Sequence, residues 1–265
     1  MEREAVPPAV RRIAAIDIGT VTTRLLVADT DGSQVREVVR LTAVTHLGEG
    51  LRATGRLSEA GISRVAAQLT RFYAEIARTG ADTTYAVATS AARDARNARD
   101  LVRAAAEQGI QVRVIPGSLE AKLSFIGATY GLAPGRFLVD DLGGGSTEIV
   151  LGSVRGAEDG GGVEIAAARS IDVGSQRVLD AFLHSDPPTA GEQAAASEWV
   201  ASEIRPFFAA VHERPGELIT LAGTGTTLSA IAQRLVTYDA AKVHGSRLSG
   251  ADVGRMRSEL AAMTL

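Results

Sequence analysis

Residues 136–152 read Arg-Phe-Leu-Val-Asp-Asp-Leu-Gly-Gly-Gly-Ser-Thr-Glu-Ile-Val-Leu-Gly, a glycine-rich segment between two apolar runs. The apolar run 137–139 is typical of a buried strand, and the aliphatic run 149–151 begins a second strand after the glycines. The sequence therefore predicts a hairpin with three glycines at its tip. Because glycine has no side chain, the backbone N–H groups of this tip are exposed and able to surround an anion.

Polar residues around this tip indicate a site for phosphate and a divalent cation. Asp141 and Glu148 flank the tip with carboxylates, which suit a hard cation such as Mg²⁺. Both are predicted metal ligands. The alternative is a flexible glycine-rich hairpin whose acids face water. The predicted phosphate-binding groups of this tip are the backbone of Gly143, Gly144 and Gly145, together with Ser146.

A similar pattern near the N-terminus makes the tip more than a local motif. An apolar run ends at Ile16, and a second hairpin tip and an aliphatic strand follow it. This first tip adds Gly19 and Thr20 as predicted phosphate-binding backbone, with Asp17 as a further candidate. The repeat predicts two similar domains that each offer a tip to a shared cleft; the alternative is chance similarity. The identical pairs are Asp17 and Asp141, Gly19 and Gly143, and Thr23 and Thr147.

The composition indicates a globular protein of one large or two ordinary domains. Of 265 residues, 45% are hydrophobic and 22% are charged, which allows an ample core. Because no apolar run of about 18 residues occurs, no membrane span is expected. Residues 1–8 lack an apolar signal core and are interpreted as a loose tail.

Two further compositional features limit the function. The chain has no cysteine, which excludes disulfides, zinc–thiolate sites and a thiol nucleophile and is compatible with the cytoplasm. Its net charge of −3 gives no basic field to attract nucleic acid. A polyanionic ligand must therefore be bound by a local cluster.

Four more segments carry candidate site residues. Arg93 is expected in the first turn of a helix that follows Thr89-Ser90, where a cation opposes the helix dipole unless it binds an anion. Glu120 is expected in the first turn of a later helix, where acids are common for dipole reasons alone. Gly223 and Gly225 follow a buried strand and form either a third anion-binding loop or a plain strand-to-helix turn. Arg177, after Asp172-Val173-Gly174, is expected to reach the cleft.

Both tips resemble the two phosphate loops of the actin, sugar kinase and Hsp70 superfamily. More narrowly, the chain is similar to the exopolyphosphatase and pppGpp phosphatase family (Ppx/GppA). This narrower resemblance rests on further blocks that occur in the family's order. They are Leu47-Gly48-Glu49-Gly50-Leu51, the Ala-Thr-Ser-Ala-Ala-Arg-Asp-Ala segment 88–95, Glu120-Ala121-Lys122-Leu123, the Gly-Gly-Gly-Ser-Thr-Glu tip, and Gly223-Thr224-Gly225-Thr226-Thr227-Leu228.

The resemblance implies an α/β fold of two duplicated RNase H-like (actin-like ATPase) domains with a central cleft. The expected domains are residues 1–131 and 132–265, the second without the last elements of longer members. The implied activity is Mg²⁺-assisted release of terminal phosphate from polyphosphate or guanosine pentaphosphate (pppGpp) by attack of water, in a cytoplasmic protein compatible with a homodimer. Glu120 matches the family's general base, and Arg93 is implied as a phosphate ligand.

Three departures from the family pattern leave alternatives open. Val21 replaces a polar residue after the first aspartate, Leu119 replaces a glutamate, and the chain stops at Leu265. These favour, to some extent, a non-catalytic sensor of polyphosphate or of an alarmone. An ATP-dependent kinase or ATPase of the same superfamily is the other alternative. A Rossmann oxidoreductase does not fit, because the glycine tips join strand to strand rather than strand to helix.

Overall fold

The computed structural model describes residues 9–264, so the predicted N-terminal tail, residues 1–8, lies outside the described part of the chain. The chain forms two compact units and passes from the first to the second between Pro116 and Gly117. Each unit contains one mixed sheet, of five strands in the first unit and four strands in the second.

The first unit is built around a five-stranded sheet. β1 to β3 form an antiparallel meander, and β4 and β5 run parallel to β1. β3 is a long strand because it pairs along the whole of β2. The strands are β1 (Arg11–Ile18), β2 (Thr22–Thr30), β3 (Val35–Val44), β4 (Thr83–Ala88) and β5 (Val112–Val114).

Helix α2 provides most of the helical side of this core, because apolar residues recur along it at spacings of three and four. Its cap Ser58 accepts a hydrogen bond from the Gly61 N–H, and the helix ends at Gly80 in the left-handed region. Val65, Leu69 and Phe72 of α2 are buried against Ile16 and Leu25 of the sheet. The helices of this unit are α1 (Leu51–Thr54), α2 (Glu59–Thr79), α3 (Ser90–Asp94) and α4 (Ala98–Glu107).

The second unit repeats the first four strands of this topology. β6 and β7 form the predicted hairpin, β8 pairs antiparallel with β7, and β9 runs parallel to β6. The strands are β6 (Gly135–Leu142), β7 (Thr147–Val154), β8 (Val163–Ile171) and β9 (Glu217–Leu221). The helices are α5 (Gly117–Thr129), α6 (Ser175–Phe182), α7 (Ala190–Ala210), α8 (Ala222–Ala232), α9 (Ala240–Val243) and α10 (Gly250–Ala261).

The two faces of the second sheet have separate cores. Val139 and Val150 pack with Phe125 of α5 on one face, whereas Leu138 packs with Phe207 of α7 on the other. Because side chains alternate along a strand, residues two positions beyond Val139 and two before Val150 also face α5. This alternation places Asp141 and Glu148 on the α5 side of the sheet.

The strand order third-second-first-fourth occurs in both sheets, so the predicted α/β class with duplicated units is confirmed. The change of unit at Pro116 comes earlier in the chain than the expected boundary after residue 131, because α5 contributes Ala121 and Phe125 to the core of the second sheet. Among residues 9–264, no helix is long and apolar enough to cross a membrane.

Candidate active site

The glycine tip of the second unit is a tight turn at the end of a regular antiparallel ladder. Asp141 pairs with Glu148 in the β6–β7 register, which places the two predicted metal ligands side by side. The Gly143 N–H donates to the Ser146 carbonyl oxygen at 3.0 Å and closes the turn.

Glu148 is a buried carboxylate whose negative charge is poorly tolerated. It is 2% exposed, and its Oε1 accepts hydrogen bonds from Ser146 Oγ at 2.9 Å and Ser170 Oγ at 2.7 Å. Burial, followed by the negative charges of Glu120 and Asp141, raises the pKa of Glu148 to about 7 although the two serines lower it. A carboxylate in this position is stabilised by a nearby cation.

Helix α5 brings two polar side chains to the carboxylates. Glu120 lies in its first turn, as predicted, and Ser124 lies four residues later on the same helical face. Ser124 Oγ donates to Asp141 Oδ2 at 2.6 Å. Glu120, Asp141 and Glu148 thus face one region at the tip, since Glu120 and Asp141 both act on the pKa of Glu148.

The donor set suits Mg²⁺ that is bound together with a phosphate ligand. Within residues 9–264, no three or more His, Cys, Asp or Glu side chains are grouped so that they could hold a metal ion by themselves. Mg²⁺ usually takes one or two carboxylates and completes its shell with water and substrate phosphate oxygens. Asp141 and Glu148, adjacent and buried or half-buried, satisfy that requirement.

Two predicted phosphate donors have other hydrogen-bond partners, which corrects their roles. The Gly143 N–H is used inside the turn, and the Ser146 hydroxyl, which is buried, donates to Glu148. In the described part of the chain, the N–H groups of Gly144, Gly145 and Ser146 have no acceptor. Three successive amides of this tip are therefore available to an anion.

The first tip has the same turn geometry. The Gly19 N–H donates to the Thr22 carbonyl oxygen at 2.9 Å, which matches the Gly143 to Ser146 bond and corrects the donor role predicted for Gly19. The amides of Thr20 and Val21 have no acceptor within residues 9–264. Asp17, beside this tip, lies 3.4 Å from the Arg24 guanidinium.

Arg93 is held differently from the prediction. Helix α3 has five residues, so Arg93 lies in its last turn, where a cation is favourable to the helix dipole. Its Nη1 donates to the Ile115 carbonyl oxygen at 3.2 Å. The dipole argument for phosphate binding at Arg93 is thereby removed, and its role depends on the resemblance and its guanidinium chemistry.

Gly223 and Gly225 do not form a separate loop. Helix α8 begins at Ala222, so both glycines lie in its first turns. A Cβ on Gly225 would lie 2.5 Å from the Thr220 side chain, so this glycine permits close packing of helix on strand. Thr220 in turn hydrogen-bonds Asp140, whose pKa is raised mainly by burial.

Ser124 and Ser170, which hydrogen-bond the carboxylates of Asp141 and Glu148, were not among the predicted site residues. The spacing of four residues from Glu120 was a usable signal for Ser124. No local signal identifies Ser170, because its contact with Glu148 follows from the register of β7 on β8.

The fold and the site define a class: actin-like α/β proteins with duplicated hairpin tips that carry carboxylates and, within residues 9–264, free backbone amides. Within this class, the chain belongs to the Ppx/GppA phosphatase family, whose family model matches residues 26–265.

Individual relatives agree with this assignment. "Exopolyphosphatase 2" of Mycobacterium tuberculosis is 42% identical, covering 97% of this chain and 82% of the relative. The crystal structure of an exopolyphosphatase-like protein has a TM-score of 0.88 at 35% identity, covering 96% of this chain and 79% of that one. An exopolyphosphatase of Cytophaga hutchinsonii has a TM-score of 0.84 at 29% identity, covering 96% and 81%.

Proposed function

We propose that the protein is an exopolyphosphatase that releases terminal orthophosphate from inorganic polyphosphate by attack of water. The observation that carries this proposal is the arrangement at the second tip, where Glu120, Asp141 and Glu148 face one region next to three amides without acceptors. Similarity to named exopolyphosphatases supports the substrate class.

Glu120 is the proposed general base. Its carboxylate takes the proton of the attacking water as the new P–O bond forms, and the shortened chain leaves as the phosphoanhydride P–O bond breaks. The first turn of α5 holds the backbone of Glu120 rigidly. Ser124, one turn further along α5, donates a hydrogen bond to one carboxylate oxygen of Asp141 and so positions that carboxylate.

The amides of Gly144, Gly145 and Ser146 are the proposed donors to the phosphate oxygens. Fixed backbone donors stabilise the charge that develops during transfer because they need no reorganisation. In the first unit, the amides of Thr20 and Val21 are proposed as phosphate contacts. The Val21 side chain cannot donate a hydrogen bond, but its backbone N–H can still do so.

Asp141 and Glu148 are the proposed ligands of Mg²⁺, which when bound would neutralise phosphate charge. Ser170 and the Ser146 hydroxyl orient Glu148 by donating to its Oε1. We also propose that pppGpp is a second substrate. We further propose that the protein is cytoplasmic and forms a homodimer.

Replacing Arg93 with alanine is expected to weaken binding of polyphosphate as well as turnover. Each lost charge-assisted hydrogen bond contributes roughly 1.5–3 kcal/mol, so the dissociation constant should rise tenfold or more. Calorimetric titration with polyphosphate measures this change. Arg99→Ala, an exposed arginine on α4, is the matched control. Unchanged affinity in Arg93→Ala would remove Arg93 from the phosphate site.

Orthophosphate release from polyphosphate, pppGpp and ATP with and without Mg²⁺ tests the proposed function. Mg²⁺-dependent release from polyphosphate is expected, with little release from ATP. Preference for pppGpp would reassign the substrate, and preference for ATP would favour the kinase or ATPase alternative.

A further inference from the structure

The carbonyl oxygens of the second tip are all bound by the segment that follows β8. The Ser175 N–H donates to the Gly143 oxygen at 3.0 Å, and the Gln176 N–H donates to the Gly144 oxygen at 2.9 Å. Arg177 completes the set, because its Nε donates to the Gly145 oxygen at 2.8 Å. The start of α6 therefore holds the carbonyl side of the tip.

This attachment fixes the direction of the amides. In a planar trans peptide, the carbonyl oxygen and the N–H of the next residue point to opposite sides. The three bound oxygens belong to the peptides whose N–H groups come from Gly144, Gly145 and Ser146. These are the three amides of the tip without an acceptor in residues 9–264, and they point away from α6.

Gly174 makes this close approach feasible. A Cβ at this position would lie 2.4 Å from the carbonyl carbon and oxygen of Gly144 and 2.6 Å from the Gly145 nitrogen. These atoms are backbone and cannot rotate away. Its φ of −151° is ordinary extended backbone, so space rather than conformation requires a glycine here.

In the first unit, the segment after β3 also donates hydrogen bonds to carbonyl oxygens of the tip. The Gly48 N–H donates to the Thr20 oxygen at 2.9 Å, and the N–H groups of Thr45 and His46 donate to the Val21 oxygen at 2.8 and 2.9 Å. A Cβ on Gly48 would lie 2.4 Å from the Thr20 methyl group. The segment after the third strand thus binds carbonyl oxygens of the tip in both units. The repetition indicates that this attachment is a feature of the fold.

We infer that residues 174–177 are a positioning segment that sets the direction of the Gly144, Gly145 and Ser146 amides. In the first unit, residues 45–48 set the direction of the Val21 amide in the same way, because Gly48 binds the Thr20 oxygen of the same peptide. Gly174 and Arg177 thereby control affinity for phosphate without touching it. This inference rests on the proposed function in taking a phosphate chain as the anion. It assigns a role to Arg177, which holds the tip backbone.

Two variants of the second unit test the inference. Gly174→Ala and Arg177→Ala are each expected to raise KM for polyphosphate at least tenfold, with a smaller fall in kcat. Arg177→Lys, which keeps a donor for the Gly145 oxygen, should recover part of the affinity. Gly191→Ala is the matched control, because its Cβ would meet nothing within 4 Å.

An amide measurement makes the test independent of activity. In ¹H–¹⁵N spectra, tripolyphosphate should shift the Gly144, Gly145 and Ser146 amides of the unaltered protein, and these shifts should be lost in Gly174→Ala and Arg177→Ala. A protein that releases no phosphate but shows the shifts would support the inference and refute the proposed activity. Unaltered affinity and shifts in both variants would overturn the inference.

Discussion

Replacing Glu148 with glutamine is expected to abolish Mg²⁺-dependent phosphate release while making the metal-free protein more stable near pH 8. Glutamine keeps an oxygen that can accept from Ser146 and Ser170, so the local hydrogen bonds survive. It removes the charge proposed to hold the cation. Activity and stability should therefore change in opposite directions.

The stability change follows from the pKa of Glu148, which is raised to about 7 in the folded protein. An unfolded glutamate has a pKa of about 4.3, so the folded state binds this proton more tightly. The resulting stabilisation is present below pH about 4 and is lost as the pH rises through about 7. Ionising Glu148 in the folded protein costs on the order of 3 kcal/mol.

Urea unfolding at pH 5 and pH 8 without metal measures this difference. The unaltered protein should lose stability between the two pH values, and Glu148→Gln should lose much less. Glu198→Gln, an exposed glutamate on α7, removes the same charge and is the control. Full Mg²⁺-dependent activity in Glu148→Gln would show that Glu148 is not a metal ligand.

Replacing Glu120 with glutamine is expected to lower kcat by about 10²–10⁴-fold, the usual effect of removing a general base. Binding of polyphosphate should change little, because the base acts mainly in the transition state. Single-turnover rates and equilibrium binding separate the two effects. Glu107→Gln, an exposed residue that ends α4, is the control.

A different outcome would favour the sensor alternative. If the unaltered chain binds polyphosphate but never turns it over, and Glu120→Gln changes neither property, Glu120 is not a base. The departures at Val21 and Leu119 would then mark a binding protein.

The two hairpins were predictable because their signals are local. Apolar runs on either side of Gly143–Gly145 specify a strand-turn-strand unit, and the matching pattern at Gly19 repeats it. Helix α2 was predictable for the same reason, from its cap and its apolar spacing.

The rest of the site depends on contacts between elements that are distant in sequence. The Ser170 contact requires the register of β8 on β7, and the bond from Arg177 to Gly145 requires α6 to approach the tip. Arg93 was predicted in the first turn of its helix but lies in the last turn, because α3 ends after five residues, which the pattern did not specify. Local sequence patterns thus predicted the hairpins and helix α2, whereas contacts between elements distant in sequence were not predictable from them.

Hydrolysis of polyphosphate in H₂¹⁸O distinguishes attack by water from transfer to another acceptor, because it reports where the attacking oxygen comes from. We expect that each released orthophosphate carries ¹⁸O from water, that release requires Mg²⁺, and that Glu120→Gln suppresses it. Orthophosphate release without solvent ¹⁸O, or transfer of the terminal phosphate to another acceptor, would contradict the proposed hydrolysis.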